Sequence, residues 1–221
     1  MIADHLDIAK GSVVAVVGCG GKTSLIALLA KRLQPYKVLI SPTTKMFPMQ
    51  TEGDTDCLGR LNAVSGKLEA LPESELAALV PQYDVVLLEA DGSAGLPCKG
   101  WLDNEPVIPP YCTHTVGIIT LNALGKPATD TIVLRLSKFL ELTGLTEGAP
   151  ITMQALETMV CAPRGMFKNS VGRRYLLVNQ AEDDATAYAA QSFLAVIKEK
   201  YPNRFERLLF GSVRLDNWQE V

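Results

Sequence analysis

The sequence has few aromatic residues, only two histidines and no closely spaced cysteine pair. The five cysteines are odd in number and widely separated, so neither a zinc ribbon nor a disulfide framework is expected. Reduced thiols are instead typical of a cytoplasmic protein. Because His5 and His114 are isolated, the sequence gives no sign of a histidine-bound metal.

Long hydrophobic runs and a strong excess of one charge are also absent. The apolar run at 13–17 is far too short to span a membrane, and the acidic N-terminal segment does not have the pattern of a signal peptide. The formal net charge of −3 argues against a nucleic-acid partner, because such proteins usually carry a basic face. We therefore expect a cytoplasmic protein with no nucleic-acid partner and no membrane partner.

Strand-like apolar runs do occur, and they alternate with segments of helical period. Predicted strands cover 12–17, 37–41, 83–89, 115–121, 174–179 and 205–213, and predicted helices cover 23–33, 72–80, 130–142, 152–160 and 183–200. This alternation predicts a single α/β domain over residues 1–221, with a mostly parallel sheet and helices on both faces, in a P-loop NTPase-like three-layer architecture. The segment 91–110, rich in glycine and proline, is predicted to be a long functional loop.

The stretch VVAVVGCGGKTSLIALL joins a buried strand to an amphipathic helix through a glycine-rich turn. The usual phosphate-binding loop reads G-x-x-x-x-G-K-[ST], and this turn is shorter. Its glycines can adopt positive φ and bring backbone N–H groups to a phosphate at the positive end of the helix, unless the turn is purely structural. Lys22 would reach the outer phosphates of ATP or GTP, and Thr23 would bind Mg²⁺. The predicted phosphate-binding residues are Gly18, Cys19, Gly20, Gly21, Lys22, Thr23 and Ser24.

Two carboxylates end the third predicted strand, in YDVVLLEAD. Glu89 and Asp91 point to the same side of the chain, because side chains alternate along a strand. The carboxyl ends of parallel strands are where open α/β sheets bind ligands. One carboxylate would hold magnesium while the other orients an attacking water, and the sequence leaves open which does which. The alternative is two solvated acids in an Asp-Gly turn.

Two further loops fall at the same edge of the predicted sheet. In SPTTK, either threonine would join the magnesium shell and the lysine would contact phosphate or an acidic substrate, unless this is an ordinary polar loop. The segment NQAE has part of the base-reading Asn-Lys-x-Asp pattern of GTP-binding proteins, but it also fits the start of a helix. The candidate residues are Thr43, Thr44 and Lys45 in the first loop, and Asn179, Gln180 and Glu182 in the second.

Several motifs occur together in one order: GCGGKTS, TTKM, EADGSAGLPCK, NEPVIP, LNALGKP, PRGMFKN and LVNQAE. In this combination the chain resembles the YqeC-type selenium cofactor biosynthesis proteins, an accessory family of selenium-dependent molybdenum hydroxylases, over about 14–182. The resemblance implies a bacterial, cytoplasmic accessory protein whose partner is a molybdenum hydroxylase or a cofactor-transfer protein. The arginine and histidine that relatives carry at the positions of Ala94 and Asn104 are missing, so their roles do not carry over. The matching site residues are Lys22, Thr23, Lys45, Glu89, Asp91, Lys99 and Glu105, with Gly92 and Ser93 in the same substrate loop.

Three functions are consistent with these patterns. The first is a magnesium-dependent nucleoside-triphosphate-binding protein and slow NTPase, with Lys22, Glu89 and Asp91 as the catalytic residues. The second is a kinase or ligase acting on a small acceptor, whose pocket would lie in the 91–110 loop. The third is a nucleotide-regulated binding module without turnover.

Overall fold

The computed structural model describes all residues, 1–221. The long strands of the central sheet are continuous apolar runs, as expected for strands buried on both faces. The strands are β1 (Ser12–Gly18), β2 (Val38–Pro42), β3 (Lys45–Met46), β4 (Thr55–Cys57), β5 (Arg60–Leu61), β6 (Leu68–Glu69), β7 (Val85–Glu89), β8 (Cys98–Lys99), β9 (His114–Thr120), β10 (Val133–Leu134), β11 (Arg173–Asn179), β12 (Arg207–Ser212) and β13 (Asn217–Glu220). The helices are α1 (Ile2–His5), α2 (Lys22–Arg32), α3 (Glu73–Leu79), α4 (Leu136–Thr143), α5 (Met153–Cys161) and α6 (Asp184–Lys200), with a 3-10 turn at Val80–Gln82.

Eight strands form one sheet in the order β13-β12-β11-β9-β1-β7-β2-β4. All neighbours are parallel except β12 and β13. Alternate residues of β1 face two separate cores: Val13 and Val17 pack with α4, α5 and α6, whereas Val14 and Val16 pack with α1 and α2. This arrangement confirms the predicted three-layer α/β fold with helices on both faces of a mostly parallel sheet. None of the helices combines the length and the apolar character needed to cross a membrane.

The predicted helix at 130–142 is wrong in its first half. Val133–Leu134 is the short strand β10, which pairs in parallel with β8, and α4 begins only at Leu136. Between them Arg135 adopts a left-handed conformation with φ 56°, which no helix interior accepts. The apolar spacing continues through this break, so hydrophobic period alone could not reveal it. The bounds of the other predicted elements agree with the structure within two residues.

The parallel topology brings the loops of interest to one edge. Strands β7, β1, β9 and β11 run in register, so that Glu89 lies beside Val16 and Asn179 lies beside Thr120. The turn between β1 and α2 therefore lies at the centre of this edge, with β7 and β2 on one side and β9 and β11 on the other. A three-stranded sheet, β3-β6-β5, adds a small wall beside the β2 end.

Candidate nucleotide-binding site

The turn between β1 and α2 requires glycine. Gly18, Gly20 and Gly21 all have positive φ, at 104°, 105° and 125°. A Cβ atom at Gly18 would lie 2.4 Å from the carbonyl oxygen of Ile118, and one at Gly21 would lie 2.6 Å from Nδ2 of Asn179. Glycine is thus needed here both for conformation and for close packing against β9 and β11.

The backbone N–H groups of this turn fall into two sets. That of Gly18 donates to the Asp91 carboxylate at 3.1 and 3.2 Å, and that of Cys19 donates to the carbonyl of Ile118 at 2.9 Å. The next five N–H groups, at 20–24, donate to no acceptor within the chain. These five residues line a cleft of about 610 Å³ at the N-terminus of α2. Free N–H groups at the positive end of a helix dipole make this turn well suited to an anion.

Lys22 is almost fully buried at the base of the same cleft, with only 3% of its surface exposed. Its Nζ donates to the carbonyl of Gly18 at 2.7 Å and to Oγ of Ser93 at 3.1 Å, and lies 3.3 Å from Oδ1 of Asp91. The lysine is therefore held in place beside the free N–H groups, and it is one of the residues that line the cleft.

Asp91 is completely buried and is surrounded by donors. Besides Gly18 and Lys22, Oδ2 accepts from Nζ of Lys99 at 3.2 Å and from Nε1 of Trp101 at 2.8 Å. Burial by itself raises the pKa of Asp91, but the charges of Lys22 and Lys99 and these hydrogen bonds outweigh it and hold the pKa below its usual range. Asp91 is thus an ionised carboxylate whose two oxygens are occupied by donors of the protein, and it does not line the cleft.

The ion pairs continue outward from Asp91. Lys99, also fully buried, reaches Oε2 of Glu105 at 3.2 Å, and both oxygens of Glu105 accept from Arg135 at 2.6 and 2.8 Å. We call this alternating series the ionic chain; its members are Lys22, Asp91, Lys99, Glu105 and Arg135. The bidentate contact with Glu105 accompanies the left-handed conformation of Arg135 that ends β10.

Glu89 contrasts with Asp91, two residues away. Its carboxylate lines the cleft and accepts from Oγ1 of Thr23 at 2.8 Å. Burial raises the pKa of Glu89, opposed by the charge of Lys22 and by the Thr23 hydrogen bond. Thr44 lines the same cleft, and its buried Oγ1 has no hydrogen-bond partner. Glu89, Thr23 and Thr44 therefore line the same cleft as the free N–H groups.

Only some of the predicted residues of the β2 loop line the cleft. Thr44 and Lys45 line the cleft, and Nζ of Lys45 pairs with Glu69 at 2.8 Å. Thr43 does not line it, because its hydroxyl donates to the carbonyl of Val107 at 2.6 Å. Thr43 thus ties the β2 loop to the 91–110 loop.

The predicted base-reading residues are also divided. Gln180 lines the cleft, whereas Nδ2 of Asn179 donates to the carbonyl of Gly20 at 2.8 Å and thereby supports the turn. Glu182 is bound by Arg214 and Ser212, whose hydrogen bonds lower the pKa of Glu182 to about 2. Helix α6 begins beyond this segment, with Asp183 as its N-cap.

The remaining predicted residues have clear places. Ser24, Gly92 and Ser93 line the cleft. Cys19 does not, because its side chain is fully buried in the core and burial raises the pKa of its thiol to about 12. Lys99 also lies behind the cleft wall, inside the ionic chain.

Sequence reasoning missed two features of the site. Arg135 was hidden within the predicted helix 130–142, where an arginine resembles any solvent-exposed residue. No structural role was assigned to the PRGMFKN motif, but Lys168 donates to the carbonyls of Leu102 and Asp103, and Asn169 donates to that of Pro106. These contacts hold the outer part of the 91–110 loop in place. The PRGMFKN motif occurs in the same chain as the glycine turn and the 91–110 loop. This co-occurrence was the signal that could have linked the motif to the site.

Comparison with known proteins agrees with the sequence motifs. The sequence model described as "YqeC protein" matches residues 14–137, which include the glycine turn, both carboxylates and Arg135. The chain is also similar to the "Uncharacterized protein YqeC" of Escherichia coli (strain K12), with 32% identity over 215 residues that cover 86% of this chain and 84% of the relative.

Proposed function

The chain belongs to the YqeC family, and from this premise we propose that it binds a magnesium–nucleoside triphosphate and hydrolyses it slowly. One observation carries the proposal: five consecutive N–H groups without acceptors, at 20–24, line a cleft beside Lys22. A phosphate chain supplies the acceptors that these groups lack. Lys22, which lines the same cleft, adds the positive charge that such a ligand requires.

The oxygen atoms around Glu89 fit magnesium. Thr23 and Glu89 supply a hydroxyl and a carboxylate, and the partnerless hydroxyl of Thr44 lies in the same cleft. Mg²⁺ prefers such hard oxygen ligands and usually takes the rest of its shell from water and phosphates. The structure has no group of three or more His, Cys, Asp or Glu side chains that could hold a metal ion, so water and phosphate oxygens would have to complete the shell. When bound, magnesium would neutralise charge on the phosphates.

The two carboxylates receive different roles in this proposal. Glu89 faces the cleft and would serve the metal side, whereas Asp91 is enclosed by donors and would position Lys22 and the turn. Asp91 is then a positioning residue rather than a base, because every side of its carboxylate is engaged.

Hydrolysis would follow the usual course of phosphoanhydride cleavage. The oxygen of a water forms a bond to the terminal phosphorus while the bond to the bridging oxygen breaks, which leaves nucleoside diphosphate and phosphate, and the water proton passes to the phosphate product. The second carboxylate at the cleft, Glu105, is bound by Arg135 and Lys99 and cannot act as a base. Since Glu89 would be occupied at the metal side, water lacks a dedicated base and turnover is slow.

The same cleft gives a reason to expect both ATP and GTP as ligands. Gln180 lies at the cleft, but Glu182, the residue that would discriminate guanine, is held by Arg214. We propose that affinity for the two bases is similar. At the level of the family, this nucleotide cycle would assist maturation of selenium- and molybdenum-containing hydroxylases, with the hydroxylase or a cofactor-transfer protein as partner.

A thermal-shift titration with magnesium and ATP, GTP, ADP or GDP tests the proposal. At 100 times its Kd, a ligand adds about 2.7 kcal/mol to the free energy of unfolding, which raises Tm by roughly 5–10 °C for a chain of this size. Lys22→Ala should abolish the shift relative to its own unliganded Tm. Lys31→Ala, which removes an exposed lysine from the same helix, serves as the matched control.

Tight nucleotide binding by Lys22→Ala, or no shift in the wild type with any nucleotide, would overturn the proposal. Phosphate release under multiple-turnover conditions then separates an NTPase from a binding module that holds nucleotide without turnover.

A further inference from the structure

A hairpin outside the glycine turn contributes a cation to the cleft. Strands β5 and β6 are joined by a turn in which Oδ1 of Asn62 accepts from the N–H groups of Val64 and Ser65, both at 3.0 Å. The N–H of Asn62 in turn donates to the carbonyl of Lys67 at 2.8 Å. The turn thus fixes the backbone at Lys67, whose side chain lines the cleft.

Lys67 differs from the other cations that line the cleft. Lys22, Lys45 and Arg135 each pair with a carboxylate, at 3.3, 2.8 and 2.6 Å. Lys67 forms no ion pair, and its Nζ lies 4.8 Å from the ring centroid of Phe47, which also lines the cleft. Its charge is therefore available to a ligand, and the aromatic ring favours an ordered position for it.

The position of the hairpin indicates which part of a nucleotide Lys67 would meet. The wall formed by β3, β6 and β5 stands on the side of β1 where Glu89 lies, opposite the side of Gln180. Lys67 and Glu89 line the same cleft. The metal, the terminal phosphate and Lys67 would therefore share one end of the cleft.

We propose that Lys67 is a catalytic residue that contacts the terminal phosphoryl group of the bound nucleoside triphosphate. This inference rests on the proposed function and extends it to a residue outside the glycine turn. A cation at the transferring phosphoryl group stabilises the charge that spreads over its oxygens in the transition state. The contact also distinguishes triphosphate from diphosphate, because only the triphosphate carries the group that Lys67 meets.

The test compares wild type, Lys67→Ala and Arg60→Ala. Arg60 is an exposed cation on the same hairpin that does not line the cleft, so its removal controls for the loss of one charge. Dissociation constants for magnesium–ATP and magnesium–ADP are measured by calorimetry, and kcat by phosphate release. We expect Lys67→Ala to weaken ATP binding about tenfold, to leave ADP binding within about twofold and to lower kcat about 10- to 100-fold. Lys67→Arg should restore part of both losses.

The inference would be overturned if Lys67→Ala bound ATP as tightly as the wild type does, bound ADP as tightly as the wild type does, and had the same kcat. That result would assign Lys67 to a separate anionic acceptor or to the surface, while wild-type binding of nucleotide would leave the proposed function standing. If the wild type itself binds no nucleotide, the proposed function fails and the role of Lys67 fails with it.

Discussion

Two adjoining parts of the site differ in how completely their polar groups are paired. In the ionic chain, every charge from Lys22 to Arg135 faces a charge of opposite sign, and every member except Arg135 is buried. In the turn beside it, the N–H groups at 20–24 have no partner within the molecule. The two parts share Lys22, which belongs to both.

This difference distinguishes the ionic chain, which supports the site, from the free N–H groups, which are available to a ligand. Buried charges are tolerated only when they are paired. The ionic chain therefore supports the fold only while all its members are present, and the loss of one member leaves its partner as an unpaired buried charge. Unpaired N–H groups remain free only where solvent or a ligand can reach them. Substitutions in the ionic chain should therefore reduce stability, whereas substitutions at the cleft should reduce binding.

The largest expected effect comes from Asp91→Asn, which removes one charge from the centre of the ionic chain. Lys22 and Lys99 would then be buried without their shared partner, and we expect the free energy of unfolding to fall by about 3–5 kcal/mol. Urea denaturation measures this loss. Asp103→Asn, at an exposed position in the same region, should stay within about 0.5 kcal/mol of wild type. A loss below about 1 kcal/mol for Asp91→Asn would show that the ionic chain is not a support.

A change of pH should alter the free energy of unfolding less than Asp91→Asn does. The pKa values of Asp91 and Glu89 are shifted in opposite directions, so their contributions oppose each other. The lowered pKa of Asp91 stabilises the fold above the ordinary carboxyl value of about 4, and this stabilisation is lost as pH falls through the lowered folded pKa. The raised pKa of Glu89 has the opposite sign, since ionising the buried group costs stability as pH rises from about 4 through the raised folded pKa.

Unfolding free energies of wild type and Glu89→Gln between about pH 3 and pH 7 separate these contributions. Both proteins should lose stability below about pH 4, but only the wild type should carry the Glu89 penalty at higher pH. The same dependence in both proteins across the whole range would contradict the assignment of the raised pKa to Glu89.

The smallest effect on stability is expected for Thr23→Val at the cleft, about 1 kcal/mol or less, because one partly buried hydrogen bond to Glu89 is lost. The expected change is instead in ligand binding: added magnesium should strengthen ATP binding much less than it does in wild type. Calorimetric titrations with and without magnesium measure this. If magnesium strengthened ATP binding by the variant as much as it does in the wild type, Thr23 would not be a magnesium ligand.

The sequence predicted the sheet and the glycine turn because their signals are local. Continuous apolar runs marked β1 and β7, and the spacing of Gly20, Gly21 and Lys22 marked the turn. The different surroundings of Glu89 and Asp91 could not be predicted, because two residues on the same side of a strand end look alike until Lys99 and Trp101 fold over one of them.

The parts that escaped prediction depend on contacts distant in the chain or on very short elements. Arg135 meets Glu105 across 30 residues and breaks a helical period that continues through it. Strands β3, β5 and β6 have too few residues for any period to appear. The wall that carries Lys67 was therefore invisible in the sequence.

Residue-specific hydrogen exchange of the backbone N–H groups, measured by NMR with and without magnesium–ATP, tests the central claim most directly. In the free protein, the N–H groups of Gly18 and Cys19 should be protected by their internal acceptors, and those at 20–24 should exchange rapidly. Magnesium–ATP should protect 20–24 and leave Gly18 and Cys19 unchanged. If 20–24 stay unprotected at saturating nucleotide, or are already protected without it, the turn is not the phosphate site and the account is contradicted.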